Sequence, residues 1–258
     1  MKRAFRQRER AFLAEGPQAV AEAFSCGAVL TDLFATVPAR SRHADLVTAI
    51  ADAGIPVHLV SGEIMDELAQ TVTPQGLLAV CGFIDVPLTA LSPGPALVAL
   101  LANVRDPGNA GTVLRTADAA GANAVVFADA SVDPYNGKCV RASAGSLFHL
   151  PVVAGARLED AVATMRAAGL RIVAADGRTG RSLDEPGVQA RLAEPTAWMF
   201  GNEAWGLPPE LAALADESVA VPIYGQAESL NLAAAAAVCL YASARAQRVR
   251  AVTGQGHT

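Results

Sequence analysis

The sequence predicts an α/β protein with two parts, a small α/β domain followed by a larger one built on a parallel sheet. Three observations support this prediction. Helical and strand patterns alternate along most of the 258 residues. The segment 85–95, DVPLTALSPGP, contains three prolines and a glycine and is the best candidate for a linker. The run 96–102 is continuously apolar, as expected for a parallel strand that is covered on both faces.

Local patterns predict the elements of the first domain, residues 1–84. Gly54 is placed to end a helix, and Ser61 is placed to cap the next one. A buried apolar strand closes the domain. The predicted helices are 17–26, 43–53 and 63–70, and the predicted strands are 29–36, 57–60 and 77–84.

The second domain, residues 96–258, shows a more regular alternation of strand and helix, which is typical of a doubly wound sheet. Between two of its strands, residues 176–186 form a loop rich in Gly, Arg, Asp and Pro. The predicted strands are 96–102, 124–127, 151–153, 170–174, 197–200 and 218–221, and the predicted helices are 110–120, 138–143, 158–168, 208–215 and a long terminal helix from Ser229.

Composition excludes several classes of protein. Charged residues make up 17% and hydrophobic residues 52% of the chain, which argues against intrinsic disorder. No apolar run reaches the roughly 20 residues that span a bilayer, and no signal-peptide core follows the basic N-terminus. We therefore expect a soluble, cytoplasmic protein without a membrane partner. The net charge of −5 argues against coating of nucleic acid by bulk electrostatics, but local basic clusters could contact phosphates.

The cysteines and histidines do not predict a metal site. The four cysteines lie far apart along the chain, without a C-x-x-C pair, and the four histidines lack ligand spacing. Each cysteine has apolar or small neighbours, so we expect inert thiols in the core. The sequence predicts no metal ion and no disulfide framework.

Three segments that follow predicted strands contain candidate functional residues, at the edge of an α/β sheet where ligands bind. The first is 103–115, NVRDPGNAGTVLR. Its proline and two glycines predict a tight turn into a helix, with Asn109 or Asp106 as the cap. A helix N-terminus attracts phosphate, and Arg115 could present a planar guanidinium to it. A capped turn with a solvated arginine is the alternative interpretation.

The second segment, 200–210, has the sequence FGNEAWGLPPE and places Glu203 in a glycine-bracketed loop. The glycines permit close approach of a ligand, although a bulky turn with a surface glutamate and a packing role for Trp205 is the simpler interpretation. The third segment is 221–231, VPIYGQAESLN, which leads into an alanine-rich helix. There Ser229 is a candidate cap and Asn231 could hold a backbone loop.

Together, and in this order, these segments resemble the three motifs of SpoU/TrmH-type RNA methyltransferases of the SPOUT superfamily. The stretch 138–151, KCVRASAGSLFHLP, looks like the one that these proteins carry between motifs one and two. The resemblance covers about 96–249. The first domain, with the FLAEG sequence at 12–16, looks like the family's N-terminal substrate-binding domain. The Ala204-Trp205 pair varies the interior of motif two.

The resemblance implies a deep trefoil knot in the catalytic domain, a homodimer, and S-adenosylmethionine as the cofactor, bound by loops near 201–206 and 221–231. It also implies the site residues. The catalytic set is Arg115, Asn109, Glu203, Ser229 and Asn231. The cofactor-binding set is Phe200, Gly201, Asn202, Gly206, Val221, Ile223, Ser229 and Leu230. The local basic clusters, together with Arg115, supply the predicted RNA-binding residues, which are Arg6, Arg8, Arg10, Arg141 and Arg115.

The implied reaction is methyl transfer to a ribose 2′-hydroxyl of RNA, with 23S ribosomal RNA as the expected substrate. Either Arg115 acts as a general base, or it binds the phosphate and stabilises the developing alkoxide while Glu203 and Asn109 hold Arg115 and the ribose in place. A guanidinium resists deprotonation in proteins, which favours the second role. A transfer RNA methyltransferase and a catalytically silent RNA-binding or assembly protein are the alternatives. The absence of G-x-G-x-x-G disfavours a dinucleotide oxidoreductase. The target nucleotide, and whether its modification is housekeeping or confers antibiotic resistance, stay open.

Overall fold

The computed structural model describes residues 2–91, 94 and 96–254. Helices and strands alternate along these residues. The strands are β1 Ala11–Glu15, β2 Leu30–Thr36, β3 Val57–Val60, β4 Leu77–Gly82, β5 Leu97–Leu101, β6 Ala124–Ala128, β7 Val152–Ala156, β8 Arg171–Ala175, β9 Thr196–Phe200 and β10 Glu217–Val219. The helices are α1 Arg3–Glu9, α2 Pro17–Ser25, α3 Val37–Arg42, α4 Ala44–Asp52, α5 Gly62–Leu68, α6 Pro107–Ala120, α7 Gly137–Ala142, α8 Leu158–Ala167, α9 Pro186–Gln189, α10 Pro209–Ala212 and α11 Leu232–Gly254.

The chain forms two compact units. Unit 1 comprises 1–84 and 135–149, and unit 2 comprises 85–134 and 150–258. In unit 1 a four-stranded mixed sheet has the order β1-β4-β2-β3, with only the β2–β3 pair parallel. In unit 2 a six-stranded sheet has the order β10-β8-β9-β5-β6-β7, and all its pairs are parallel. The predicted α/β class and the parallel sheet are confirmed.

The predicted domain boundaries differ from these units at one internal segment. Residues 135–149, which the sequence prediction placed in the second domain, pack in unit 1. The Tyr135 ring stacks on Phe83 with 3.9 Å between centroids and lies 4.8 Å from that of Phe12. The Phe148 ring stacks on Phe12 at 6.1 Å. Arg141 forms an ion pair of 3.2 Å with Glu15. Aromatic burial and a charge pair therefore tie this segment to the first sheet.

The segment 85–95, predicted to be a linker, belongs to unit 2 where it is described. Its residues 92, 93 and 95 lie outside the described residues. Leu88–Leu91 forms a 3₁₀ turn. Leu91 is buried in the core of unit 2, and Val86 and Leu88 pack against that core. The apolar side chains make this segment part of unit 2, because their burial outweighs the extended preference of the prolines.

For most of the chain the sequence predicted correctly whether a segment is a helix or a strand, but several predicted helices and strands begin or end at the wrong residue. The sequence prediction missed α1, β1 and α3; Thr36 begins α3 by accepting the Ala39 N–H at 3.3 Å. Ser61 caps α5 as predicted, accepting the Ile64 N–H at 3.3 Å. Of the predicted helix 208–215, only Pro209–Ala212 (α10) is helical in the structure. None of the helices that the structure describes combines the length and apolar composition needed to cross a membrane.

Candidate active site

Three loops meet at the carboxyl edge of the parallel sheet in unit 2, where they follow β5, β9 and β10. A chain of hydrogen bonds joins them. The Asn109 side-chain amide donates to Oε1 of Glu203 at 3.4 Å, and the Asn231 amide donates to Oδ1 of Asn109 at 3.1 Å. One residue from each predicted segment therefore takes part in the same network, and Asn109 is its centre.

The loop after β5 holds Asn109 in position. Asn103 has a φ of 65°, and its side-chain oxygen accepts from Nε of Arg105 at 2.7 Å. Asp106 caps α6 by accepting the N–H of Asn109 at 2.8 Å. Of the two predicted caps, Asp106 is the one that the structure shows. The Asn109 amide is thereby left to contact Glu203 and Asn231.

Glu203 fixes the turn before α6. Its carboxylate accepts the backbone N–H groups of Arg105 at 3.2 Å and of Asp106 at 3.0 Å. A carboxylate near the start of α6 also suits the positive end of the helix dipole. The expectation that Glu203 holds Arg115 is not met in this structure. Arg115 lies exposed on α6, without a hydrogen bond or ion pair to any residue in the described part of the chain.

The loop after β9 is a tight turn closed on itself. Asn202 and Gly206 exchange both backbone hydrogen bonds at 2.9 Å, and the Asn202 side chain donates to the carbonyl of Asn103 at 3.1 Å. A Cβ on Gly201 would lie 2.6 Å from backbone atoms of Gly206. Trp205 is 55% exposed, so the packing role considered for it is wrong.

The loop after β10 is open. Within the described residues, no backbone group between 221 and 230 is hydrogen bonded to another backbone group. Asn231 begins α11, because its side-chain oxygen accepts the N–H of Ala233 at 2.9 Å. The prediction that Ser229 caps this helix is wrong. Ser229 is exposed and lies three residues before the first residue of α11.

The predicted cofactor-binding residues divide by burial. Phe200 is fully buried, so its side chain packs in the core and only its backbone is near the turn. Asn202 is 6% exposed and supports the loop. Ile223 and Leu230 are exposed apolar side chains, and Val221 is half-buried. The exposed apolar groups and free backbone groups thus lie in the third loop.

The sequence prediction missed Arg178, which supports the second loop from the segment after β8. Its guanidinium donates to the carbonyl of Leu207 and to both carboxylate oxygens of Asp176, at 2.9 and 3.1 Å. Burial alone would raise the pKa of Asp176, but the hydrogen bonds and charge of Arg178 outweigh it and lower that pKa. The arginine-rich loop 176–186 was the available signal.

The basic residues predicted to bind RNA do not share one environment. Arg6 is 5% exposed, so its assignment to an RNA-binding surface is wrong; it lies on the buried side of α1. Arg8 is exposed and pairs with Glu9 at 2.7 Å. Arg10 is exposed and its guanidinium lies 4.9 Å from the centroid of the Phe83 ring. Arg141 is partly neutralised by its ion pair with a glutamate of β1.

Comparison with known proteins gives matches over both parts of the chain. The model of the SpoU rRNA Methylase family matches residues 96–241, and that of the MRM3-like substrate binding domain matches residues 1–79. The 23S rRNA (guanosine(2553)-2′-O)-methyltransferase RlmP of Bacillus subtilis is 34% identical over 92% of this chain and 89% of its own length. The 23S rRNA (guanosine-2′-O-)-methyltransferase RlmB of Bordetella pertussis is 35% identical over 75% of this chain and 79% of its own.

Solved structures give the same result. The AdoMet-bound rRNA methyltransferase from Sinorhizobium meliloti has a TM-score of 0.81 and 31% identity, covering 95% of this chain and 90% of that one. The SpoU methyltransferase AviRb from Streptomyces viridochromogenes, in complex with AdoMet, has a TM-score of 0.82 and 28% identity, covering 96% of this chain and 94% of that one. The likeness therefore extends over both units.

Proposed function

Because the chain belongs to the SpoU rRNA methylase family, we propose that it transfers a methyl group from S-adenosylmethionine to a ribose 2′-hydroxyl of ribosomal RNA, with 23S rRNA as the substrate. The observation that supports this best is the hydrogen-bonded chain of Glu203, Asn109 and Asn231, which draws the three family motifs into one site. RlmP and RlmB, which match 92% and 75% of this chain, are named as 23S rRNA 2′-O-methyltransferases, and this favours ribosomal RNA over both the transfer RNA and the silent-protein alternatives.

The third loop and the turn beside it fit the cofactor. A ligand that is recognised largely through backbone groups needs peptide groups free of other partners, and residues 221–230 supply them. Ile223 and Leu230 add exposed apolar surface for an adenine ring. The family's cofactor supplies an electrophilic methyl group. The proposed role of this chain is to orient it and the ribose.

Arg115 is the proposed contact to the RNA. Its exposed guanidinium, without a partner among the described residues, can form a bidentate contact with a phosphate. In that position it also stabilises the negative charge that develops on the 2′-oxygen. Asn109, fixed between Glu203 and Asn231, is placed to hold the ribose. Ser229 lies on the exposed loop, where its hydroxyl can contact either substrate.

A glycine-to-alanine substitution tests the second loop. Gly201→Ala should weaken S-adenosylmethionine binding about ten- to hundredfold, because the added Cβ would lie 2.6 Å from backbone atoms of Gly206 and the turn would have to open. Isothermal titration would measure the Kd. Gly180→Ala is the control, since nothing lies within 4 Å of its Cβ position. Unchanged affinity in Gly201→Ala would contradict a cofactor role for this turn.

Three further features belong to this proposal. A trefoil knot is supported by the strand order, with β9 between β8 and β5, and by α11 crossing back to that region, where Trp198 donates to Ser243 at 2.9 Å.

A homodimer is supported by the exposed apolar face of α11 formed by Val238, Tyr241 and Val249. Light scattering would test the dimer. We place the protein in the cytoplasm because its proposed substrate is ribosomal RNA.

The first domain is the proposed reader of the RNA, in agreement with the family model that matches it. Arg8 and Arg10 are among its exposed basic residues near the N-terminus. We keep residues 96–258 as the catalytic part of the chain, except for 135–149, which we assign to the RNA-reading unit with 1–84.

The decisive experiment is a methyl-transfer assay. The full-length protein, supplied with tritiated S-adenosylmethionine and 23S rRNA transcribed in vitro, should label that RNA. Labelling should disappear when the mapped target nucleotide carries a 2′-deoxyribose, since the accepting hydroxyl is then absent. Labelling of transfer RNA alone would support that alternative, and RNA binding without labelling would support a silent binding protein; either result would overturn the proposal.

A further inference from the structure

A cluster of three side chains that can bind a metal ion lies in unit 1. Glu22 and Cys26 are one helical turn apart at the C-terminal end of α2, and His149 follows the 3₁₀ turn Ser146–Phe148. Their ligand atoms all lie within 4.8 Å of one another. Nε2 of His149 is 3.2 Å from Oε2 of Glu22. Spacing along the chain gave no sign of this group, because His149 is more than 100 residues from the other two.

The cluster is close to the geometry of a tetrahedral metal site. With bonds of about 2.0–2.3 Å to zinc, tetrahedral ligand atoms are separated by about 3.3–3.8 Å. The His149–Glu22 pair already has such a separation. The remaining pairs need to close by at most about 1.0–1.5 Å, and rotation of the exposed Cys26 side chain can supply this.

The surroundings hold two of the ligands in place. A Cβ on Gly145 would lie 2.5 Å from Cγ of Glu22, so the stem of Glu22 packs directly on the backbone of the segment that carries His149. Gln18 on α2 donates to the carbonyl of Ala144 in the same segment at 3.2 Å. The approach of Glu22 to His149 therefore does not depend on those two side chains alone.

We propose that Glu22, Cys26 and His149 form a binding site for a zinc-class divalent cation. A thiolate, an imidazole nitrogen and a carboxylate oxygen are ligands that zinc accepts together, and the exposed position leaves room for water as the fourth. The thiolate disfavours magnesium and calcium, which take oxygen ligands. On binding, the Cys26 thiol releases its proton to solvent and its sulfur bonds to the metal. The metal then links α2 to the segment 135–149.

The distribution of thiols makes the site testable by spectroscopy. Cys26 is exposed, contrary to the expectation that every cysteine lies in the core, whereas Cys81, Cys139 and Cys239 are buried as expected. Burial also raises the pKa of Cys81 and of Cys239 to about 12. A cobalt–thiolate signal from the folded protein would therefore come from Cys26.

The experiment is a titration of the full-length, reduced and metal-free protein with Co²⁺. We expect a thiolate-to-cobalt charge-transfer band in the near ultraviolet that saturates at one ion per chain and disappears on addition of Zn²⁺. Cys26→Ser should abolish the band, and His149→Ala should weaken metal affinity at least about tenfold. His58→Ala is the matched control, because His58 is an exposed imidazole of the same unit, paired with Asp32 at 2.8 Å; it should bind metal normally.

Thermal unfolding gives a second readout. Zn²⁺ should raise the Tm of the wild type and of His58→Ala, but not that of Cys26→Ser, because binding to the folded state alone stabilises it. Absence of the band, its survival in Cys26→Ser, or equal zinc affinity in His149→Ala and His58→Ala would overturn the proposal. The test is independent of methyl transfer, so neither result depends on the proposed function.

Discussion

Arg115→Lys is expected to lower kcat for methyl transfer about 100- to 1000-fold, the usual cost of removing one well-placed donor to a developing oxyanion. Lysine keeps the positive charge but loses the planar fork that binds a phosphate and faces the ribose. Because Arg115 has no partner among the described residues, the substitution should leave both the fold and the Kd for S-adenosylmethionine unchanged. Single-turnover kinetics together with isothermal titration would separate these effects.

The same variant distinguishes the two roles considered for Arg115. A primary amine gives up its proton more readily than a guanidinium, so a general base at this position would let the lysine variant recover turnover as the pH rises. The electrostatic role predicts no such recovery. Arg157→Lys is the control, since Arg157 is an exposed arginine of the same unit with a loose ion pair of 3.8 Å. Turnover at the wild-type rate in Arg115→Lys would refute the geometric role.

Phe12→Ala is expected to lower the free energy of unfolding of unit 1 by about 3–5 kcal/mol. Phe12 is fully buried, and its ring contacts those of Phe83, Tyr135 and Phe148. Removing it leaves a cavity that rigid aromatic neighbours cannot easily fill. Urea unfolding, followed with probes in each unit, would measure the loss. Hydrogen exchange should show that the amides of 135–149 lose protection together with those of β1.

Phe5→Ala is the matched control for this substitution. Phe5 belongs to the same unit but is 44% exposed, so its removal should change stability by no more than about 0.5 kcal/mol. If Phe12→Ala lost stability while residues 135–149 kept their full protection, the segment would not depend on the first sheet as described here. Equal effects of the two substitutions would contradict the burial that the structure assigns to Phe12.

The fold was predictable from the sequence where local patterns determine it. The continuous apolar run at 96–102 identified β5, and Ser61 was recognisable as a cap from its position alone. The placement of 135–149 was not predictable, because it depends on the Tyr135 and Phe148 rings meeting Phe12 and not on any pattern nearby. The prediction that Arg6 binds RNA was wrong for a similar reason. Its position in a basic cluster of the sequence does not indicate that its side chain is buried in the fold.

The candidate site was predictable in its members but not in their connections. The motifs placed Asn109, Glu203 and Asn231 in one group, and the structure joins them. Their partners could not be read from the chain. Glu203 binds backbone N–H groups instead of Arg115, and Asn231 takes the capping role that was expected of Ser229. Side-chain direction depends on tertiary contacts, which a motif does not specify.

The chain passes between the two units three times, near residues 84, 134 and 149. Removal of residues 1–84 would therefore leave Tyr135 and Phe148 without their aromatic partner Phe12, and the remaining fragment is a poor test of which unit binds RNA. The same connectivity bears on protein engineering. A chimera that exchanges target preference with a relative must take both 1–84 and 135–149 from the same parent. If only 1–84 were exchanged, its aromatic side chains would have to pack against a 135–149 segment from the other protein.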